Sequence, residues 1–310
     1  MANRLTFPFR MVTGALVTLL ICFLLGGAAW AAEEVPVTAK VGFELQSIRK
    51  VNVLTGDFEA DFHLSFACSA KCQPGGFLLE NGRIVNAVPV VDSPAQKVYL
   101  VRAQLSADID TRKFPFDQQA LTITLRAPDD SIHYELDPAA TPTNLNVDAA
   151  EWRPGNQIQI LPGAGLKDGA PSVFRYTFGL TINRPLLESI LRYMLPALAL
   201  MFSAMLVLFL DPDDFKTKLG MALSSFIGQI FLQISIGGRI PVREYLTYWD
   251  KYLIISYLTV SLIILYVWWD NALKIRERKE IRGRLISVSK VLFPVGWGAL
   301  QVLTAISTFR

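Results

Sequence analysis

Beyond Arg184 the chain is dominated by long apolar runs almost free of charge, and no other feature limits its fold so strongly. A helix needs about 20 apolar residues to cross the hydrocarbon of a bilayer. Four stretches meet that length, at 190–210, 219–240, 252–269 and 291–309. In hydrocarbon each backbone amide must be satisfied within the protein, so such runs are expected to be helical. Composition agrees, since 52% of the 310 residues are hydrophobic and the mean hydropathy is positive, too apolar for an ordinary soluble domain.

Residues 32–184 read differently. Short runs of alternating character, such as Phe58-Glu59-Ala60-Asp61-Phe62-His63-Leu64 and Leu121-Thr122-Ile123-Thr124-Leu125, are separated by turn signals at Asn81-Gly82, Asp92-Ser93-Pro94, Pro128-Asp129-Asp130 and Pro162-Gly163. This is the pattern of an antiparallel β-sandwich or barrel. Strand and helix do not alternate, and there is no glycine-rich phosphate loop and no internal repeat.

The first 31 residues carry Arg4 and Arg10, an apolar stretch from Met11 to Ala29, and the small-residue site Ala29-Trp30-Ala31. They are expected to be a signal peptide, with an uncleaved anchor helix as the alternative. Export places the β domain in an oxidising compartment, where Cys68 and Cys72 either form a local disulfide or remain thiols. His63 and His133 are the only histidines and lack ligand spacing, so no metal is expected. No cofactor is expected either.

The net charge of +3 is modest and forms no basic stripe in the β domain, which argues against a nucleic-acid partner. Lys274, Arg276, Arg278, Lys279, Arg282 and Arg284 crowd the connection between the third and fourth spans. Positive loops stay inside, so 270–290 and 211–218 are expected to be cytoplasmic, with the β domain and the C-terminus periplasmic. That describes a multi-pass protein of the inner membrane. Trp249, Trp268 and Trp269 are expected at membrane interfaces.

The second span is unlike the others because it contains Ser224, Ser225, Gln229, Gln233 and Ser235. Polar groups at membrane depth face protein or water. Either a water-filled pore or interhelical hydrogen bonding satisfies that demand.

Five stretches resemble the pentameric ligand-gated ion channels, the superfamily of the Cys-loop receptors and their bacterial relatives. Thr111-Arg112-Lys113-Phe114-Pro115-Phe116-Asp117-Gln118-Gln119-Ala120-Leu121 is similar to the signature loop. Arg184, twelve residues before Pro196, resembles the arginine ahead of the first span and the proline within it. Arg239-Ile240-Pro241 followed by Tyr245-Leu246-Thr247-Tyr248-Trp249-Asp250-Lys251 resembles the end of the pore helix and the coupling loop. Ser287 to Pro294 looks like the head of the fourth span, and Gly56 to Phe66 like the first hairpin of the sensor domain. The cysteine pair that closes the signature loop in the animal receptors is absent, as in bacterial relatives, so Cys68 and Cys72 are not that bridge.

The resemblance implies an all-β immunoglobulin-like sandwich followed by a four-helix transmembrane bundle (185–310), assembled as a homopentamer in the lipid bilayer. Counting back from Pro241, it implies that Gly220, Ser224, Ile227, Phe231 and Ile234 line the pore. Their steps of four, three, four and three suit one helix face, as a rotated stripe through Ser225, Gln229 and Gln233 also does. Phe114, Pro115, Phe116, Asp117, Arg184 and Pro241 are implied to couple sensor to pore. A ligand pocket would lie near the hairpin 163–172 and near Trp152, Phe174 and Tyr176, whose aromatic faces suit a cation.

The function implied is an ion channel passing inorganic ions in response to a periplasmic signal, a small ligand or protons. A non-conducting membrane-anchored sensor of the same fold is the alternative. An enzyme is not expected, since no nucleophile, histidine and acid arrangement is present. Ion selectivity stays open, because Asp213-Asp214-Phe215-Lys216-Thr217-Lys218 carries both signs and only the lumen-facing side chains count.

Overall fold

The computed structural model describes residues 37–68, 76–128, 132–142, 147–149, 151–167 and 170–310. The expected signal peptide and Cys72 lie outside them. Among the described residues nine strands come first: β1 (Val37–Arg49), β2 (Asp57–Cys68), β3 (Leu78–Leu79), β4 (Gly82–Asp92), β5 (Gln96–Ser106), β6 (Gln118–Arg126), β7 (Ile132–Leu136), β8 (Arg153–Lys167) and β9 (Ala170–Asn183). They form two sheets, ordered β4-β5-β2-β1-β7 and β3-β6-β9-β8. Each pairing is antiparallel except that of β1 with β7.

Alternation sets the inner faces. In β2 the residues Phe58, Ala60, Phe62, Leu64 and Phe66 are all buried, two apart along the strand. Leu121, Ile123 and Leu125 of β6 and Tyr176, Phe178, Leu180 and Ile182 of β9 join the same core. Phe43 of β1 joins the sheets: its ring lies 4.1 Å from that of Phe178, nearly parallel to it, and 5.1 Å from that of Phe62. Each such side chain contributes about 1.5–3 kcal/mol on burial. The turn from β1 into β2 uses Gly56 at φ 81°, a left-handed value that favours glycine. On the outer face Asp61 of β2 receives Arg49 of β1 at 2.7 Å and Arg102 of β5 at 2.8 Å. The Arg102 hydrogen bond, more than any other contact, holds the Asp61 carboxyl below the usual carboxylate range.

Pro162-Gly163 is not a turn. β8 runs through it as the edge strand of its sheet, with a register irregularity between Gly163 and Ala164. An edge strand tolerates proline because its outward N–H has no partner to lose. β8 continues to Lys167, paired antiparallel with β9. At the edge of the other sheet, β4 is exposed along its whole length and presents Ile84, Val85, Val88, Val90 and Val91 to solvent.

Four helices follow: α1 (Leu186–Phe209), α2 (Phe215–Gly237), α3 (Tyr248–Ile275) and α4 (Lys279–Phe309). All are long and apolar enough to cross a membrane. Each starts ahead of its apolar stretch, most of all α4, which starts at Lys279 within the basic segment, while α1 and α2 stop short of theirs at Phe209 and Gly237. Hydropathy limits what sits in hydrocarbon, whereas a helix continues until a cap or turn ends it. Within α1 the turn Ile190–Met194 is a wide π-turn just ahead of Pro196. That proline has no N–H to offer the preceding turn, and such a bulge accommodates the gap. The start of α3 is fixed by a capping box, in which Thr247 and Asp250 bond each other's backbone.

Met201, Ala204 and Leu208 of α1, Ala222 of α2, and Val260, Ile263 and Val267 of α3 form the bundle core. α4 adds the partly buried Leu285, Phe293 and Trp297 at its margin. Trp268 and Trp269 are exposed, whereas Trp249, the second residue of α3, is 1% exposed and stacked on Tyr252 at 5.7 Å in the core beneath the sandwich. Its position on the inner side of α3, which sequence distance from a span end does not reveal, accounts for the difference.

Candidate functional site

α2 has two unlike faces. Ser225 and Gln229 are buried within the subunit, and the Gln229 amide lies 3.9 Å from the Met201 sulfur of α1. Gln233 accepts a hydrogen bond from the Tyr257 hydroxyl of α3 at 2.7 Å. Gln229 and Gln233 thus each reach a neighbouring helix, whereas the Ser225 hydroxyl is buried with no hydrogen-bond partner among the described residues. The face left open carries Gly220, Ser224, Ile227, Phe231 and Ile234. Ile227 is 51% exposed, and Phe231 and Ile234 are each 68% exposed.

Where the sandwich meets the helices, Asp117 and Arg184 come together. Arg184 follows β9 and Asp117 immediately precedes β6, strands paired in register from Gln118 with Asn183 onward, so the sheet itself brings the two side by side. The Arg184 Nε donates to Asp117 Oδ1 at 2.9 Å, and its backbone N–H donates to the Asp117 carbonyl at 3.3 Å. The second carboxylate oxygen accepts from the Gln119 amide at 2.6 Å. Asp117 is 1% exposed and the Arg184 side chain 17%. A guanidinium paired with a buried carboxylate makes a charge-assisted bond that resists separation. Its flat face lies 4.5 Å from the Trp152 ring and 5.2 Å from that of Phe114.

The loop 107–117 also reaches the connection between α2 and α3. The Thr111 N–H donates to the Tyr245 hydroxyl at 3.1 Å, the Tyr248 N–H to the Arg112 carbonyl at 2.8 Å, and Arg243 to the Ile109 carbonyl at 3.3 Å. The Phe114-Pro115 peptide is cis and both residues are buried, with Phe114 edge-on to Tyr193 of α1 at 5.0 Å. Phe116 lies against Tyr248 and against Phe309 at the end of α4. Pro241 sits in the α2–α3 connection, four residues past the last residue of α2. One loop thus touches the start of α1, the exit of α2, the start of α3 and the end of α4.

The opposite ends of the helices hold a second cluster of charge. Lys218 of α2 is within 3.2 Å of Asp270 of α3, with side chains only 2% and 3% exposed. Asp270 also accepts from Arg282 of α4 at 2.8 Å. Arg282 continues to Asp213 at 3.0 Å and to the Pro212 carbonyl at 2.7 Å, and Lys274 reaches Asp213 at 3.1 Å. Hydrogen bonds from Lys274 and Arg282 hold the Asp213 carboxyl below its ordinary range. Asp214 caps α2 by accepting from the Thr217 N–H at 3.1 Å.

Of the residues expected around a ligand, Trp152 and Tyr176 lie in the sandwich core, and the Tyr176 hydroxyl accepts the Leu136 N–H at 3.1 Å. Trp152 serves as the platform under Arg184. The Phe174 side chain lies outside what is described. Among the described residues no group of three His, Cys, Asp or Glu could hold a metal. Tyr245 and Arg243 fall within the run from Arg239 to Lys251 and Gln119 within the run from Thr111 to Leu121, but none was given a role of its own in the sequence, and nothing there pointed to Phe309.

No protein-family profile matches the chain. A proton-gated ion channel from Gloeobacter violaceus is 25% identical to it over 239 residues, 74% of this chain and 66% of the relative. The chain thus spans just under two thirds of the relative's length. With the two-sheet sandwich and the four apolar helices, this bears out the resemblance to bacterial pentameric ligand-gated ion channels and the reading as a multi-pass membrane protein.

Proposed function

We propose that this chain, similar to bacterial pentameric ligand-gated channels, is the subunit of a homopentameric ion channel of the inner membrane. α2 lines the central pore. The observation that carries this reading is the split of α2: Ser225 and Gln229 are buried within the subunit, while an ordered stripe of Gly220, Ser224, Ile227, Phe231 and Ile234 is left open. α2 packs on α1 and α3, and α4 packs on α3 and the end of α1. A five-fold axis beside the stripe makes rings that are small and polar at one end and bulky and apolar at the other. Apolar rings of Ile227, Phe231 and Ile234 close a narrow pore by dewetting. The exposed apolar edge strand β4 fits burial against a second copy.

The sandwich is periplasmic in this reading, and the basic α3–α4 connection cytoplasmic. Asp117, Arg184, Phe114, Pro115, Phe116 and Pro241 carry the signal, because the loop 107–117 holds the exit of the pore helix. Binding of a small molecule or protons to the sandwich shifts a closed–open equilibrium through that loop. Acidification is the first stimulus to try, given the relative's gating. The test is electrical recording from the purified protein in planar bilayers while pH and candidate small molecules are varied. Stimulus-dependent current steps are expected; pentamers that insert yet stay silent under every condition contradict the reading.

A further inference from the structure

The open face of α2 extends beyond Gly220. Lys216, Gly220, Ser224 and Ile227 follow at steps of four, four and three, which keeps them on one side of a helix. Lys216 is exposed, and among the described residues it has neither an ion-pair nor a hydrogen-bond partner. Of the carboxylates nearby, Asp213 and Asp270 are paired with cations of their own subunit, whereas Asp211 and Asp214 accept backbone N–H groups. Asp213 is tied to Lys274 and Arg282, which draw it toward α3 and α4. Asp270 is buried between Lys218 and Arg282. Asp214 caps the helix through Thr217, and Asp211 accepts the Asp213 N–H at 2.9 Å. Further along the stripe no residue is charged, and the next exposed charge past its far end is Arg239, also a cation.

We infer that the pore selects inorganic anions, and that a ring of Lys216 ammonium groups at its cytoplasmic mouth is the selecting element. This rests on the proposed pore and specifies what passes through it. Five like charges around a narrow opening raise the local concentration of anions and repel cations. The same sequence segment also contains aspartates, but an acid paired with two cations inside its own subunit presents little net field to the lumen. Lys218, two residues on, adds no free charge of its own because Asp270 neutralises it.

The test is the reversal potential of the current carried by the purified full-length protein in bilayers under a KCl gradient. Wild type should reverse near the chloride equilibrium potential. Lys216→Glu should move the reversal toward the potassium potential, Lys216→Gln should lose most of the discrimination, and Lys216→Arg should retain it. A wild-type current that reverses near the potassium potential overturns the inference while leaving the channel intact. So does a Lys216→Glu current with an unmoved reversal. A protein that carries no current either as wild type or as the pore variant Ile227→Ser contradicts the channel reading itself, and this inference with it.

Discussion

At the sandwich side of the helices, Asp117 and Arg184 meet where separate elements touch, with part of the guanidinium still open to solvent and aromatic rings on its faces. At the other end, Lys218 and Asp270 are sealed inside the bundle, and Arg282 ties the same carboxylate to α4. Both are acid–base pairs, yet they are built for different tasks. The buried cluster joins three helices and leaves nothing free to slide, so the lower end of α2 is pinned. The upper pair joins a loop to a strand end, and the exit of α2 hangs from that loop through Tyr245, Arg243 and Tyr248. Under the proposed function, a signal arriving from the sandwich acts on the upper end of α2 and pivots it about its base.

Breaking the lower cluster should have the larger effect. Asp270→Ala leaves the Lys218 ammonium and the Arg282 guanidinium without their shared partner. Removing one member of a buried pair costs about 3–5 kcal/mol. The expected outcome is a steep fall in the yield and thermal stability of folded oligomer, read by size-exclusion chromatography and a melting curve in detergent. An Asp270→Ala protein as stable as wild type would mean that the base of α2 is not pinned by charge.

The upper pair should respond differently. Asp117→Asn and Arg184→Gln are each expected to leave the oligomer assembled and to shift activation to stronger stimuli. Groups in direct contact show interaction energies of about 0.5–3 kcal/mol in a double-mutant cycle. A cycle on the activation midpoint should therefore show the double variant less impaired than the sum of the singles. Simple additivity would remove this pair from the path between sandwich and pore and erase the contrast with the lower cluster.

How far the sequence exposed these features follows from the range of the interactions involved. The alternation of Phe58, Phe62 and Phe66, or of Leu121, Ile123 and Leu125, is a local signal of a half-buried strand, and it marked β2 and β6. The apolar runs marked four helices but not their ends, because Lys279 to Lys290 continues α4 with charged residues that hydropathy counts as loop. Pro162-Gly163 reads as a turn locally, yet only the sheet order shows that β8 is an edge able to absorb it. Asp117 and Arg184 are 67 residues apart, and resemblance to a family brought them to notice where no local pattern could. The Lys218–Asp270 pair had a weak signal, a lysine and an aspartate at the margins of two apolar runs, but their meeting depends on how α2 packs on α3. The choice between the two stripes of α2 was beyond helical periodicity, because both satisfy the same period. In the structure Ser225 and Gln229 are buried within the subunit, whereas Gly220, Ser224, Ile227, Phe231 and Ile234 are exposed.

That separation is what the account stands on, and it is most directly tested by comparing resting conductance in two variants of α2. Ile227→Ser places a hydroxyl on the open face in every subunit, which hydrates an apolar ring and weakens its barrier to water and ions. Gln229→Leu alters the face that packs on α1. In bilayer recordings the account expects Ile227→Ser to raise resting current or to lower the stimulus needed for activation, and Gln229→Leu to change either far less. A dominant effect of Gln229→Leu, with Ile227→Ser indistinguishable from wild type, would contradict the assignment of the open face of α2 to the pore.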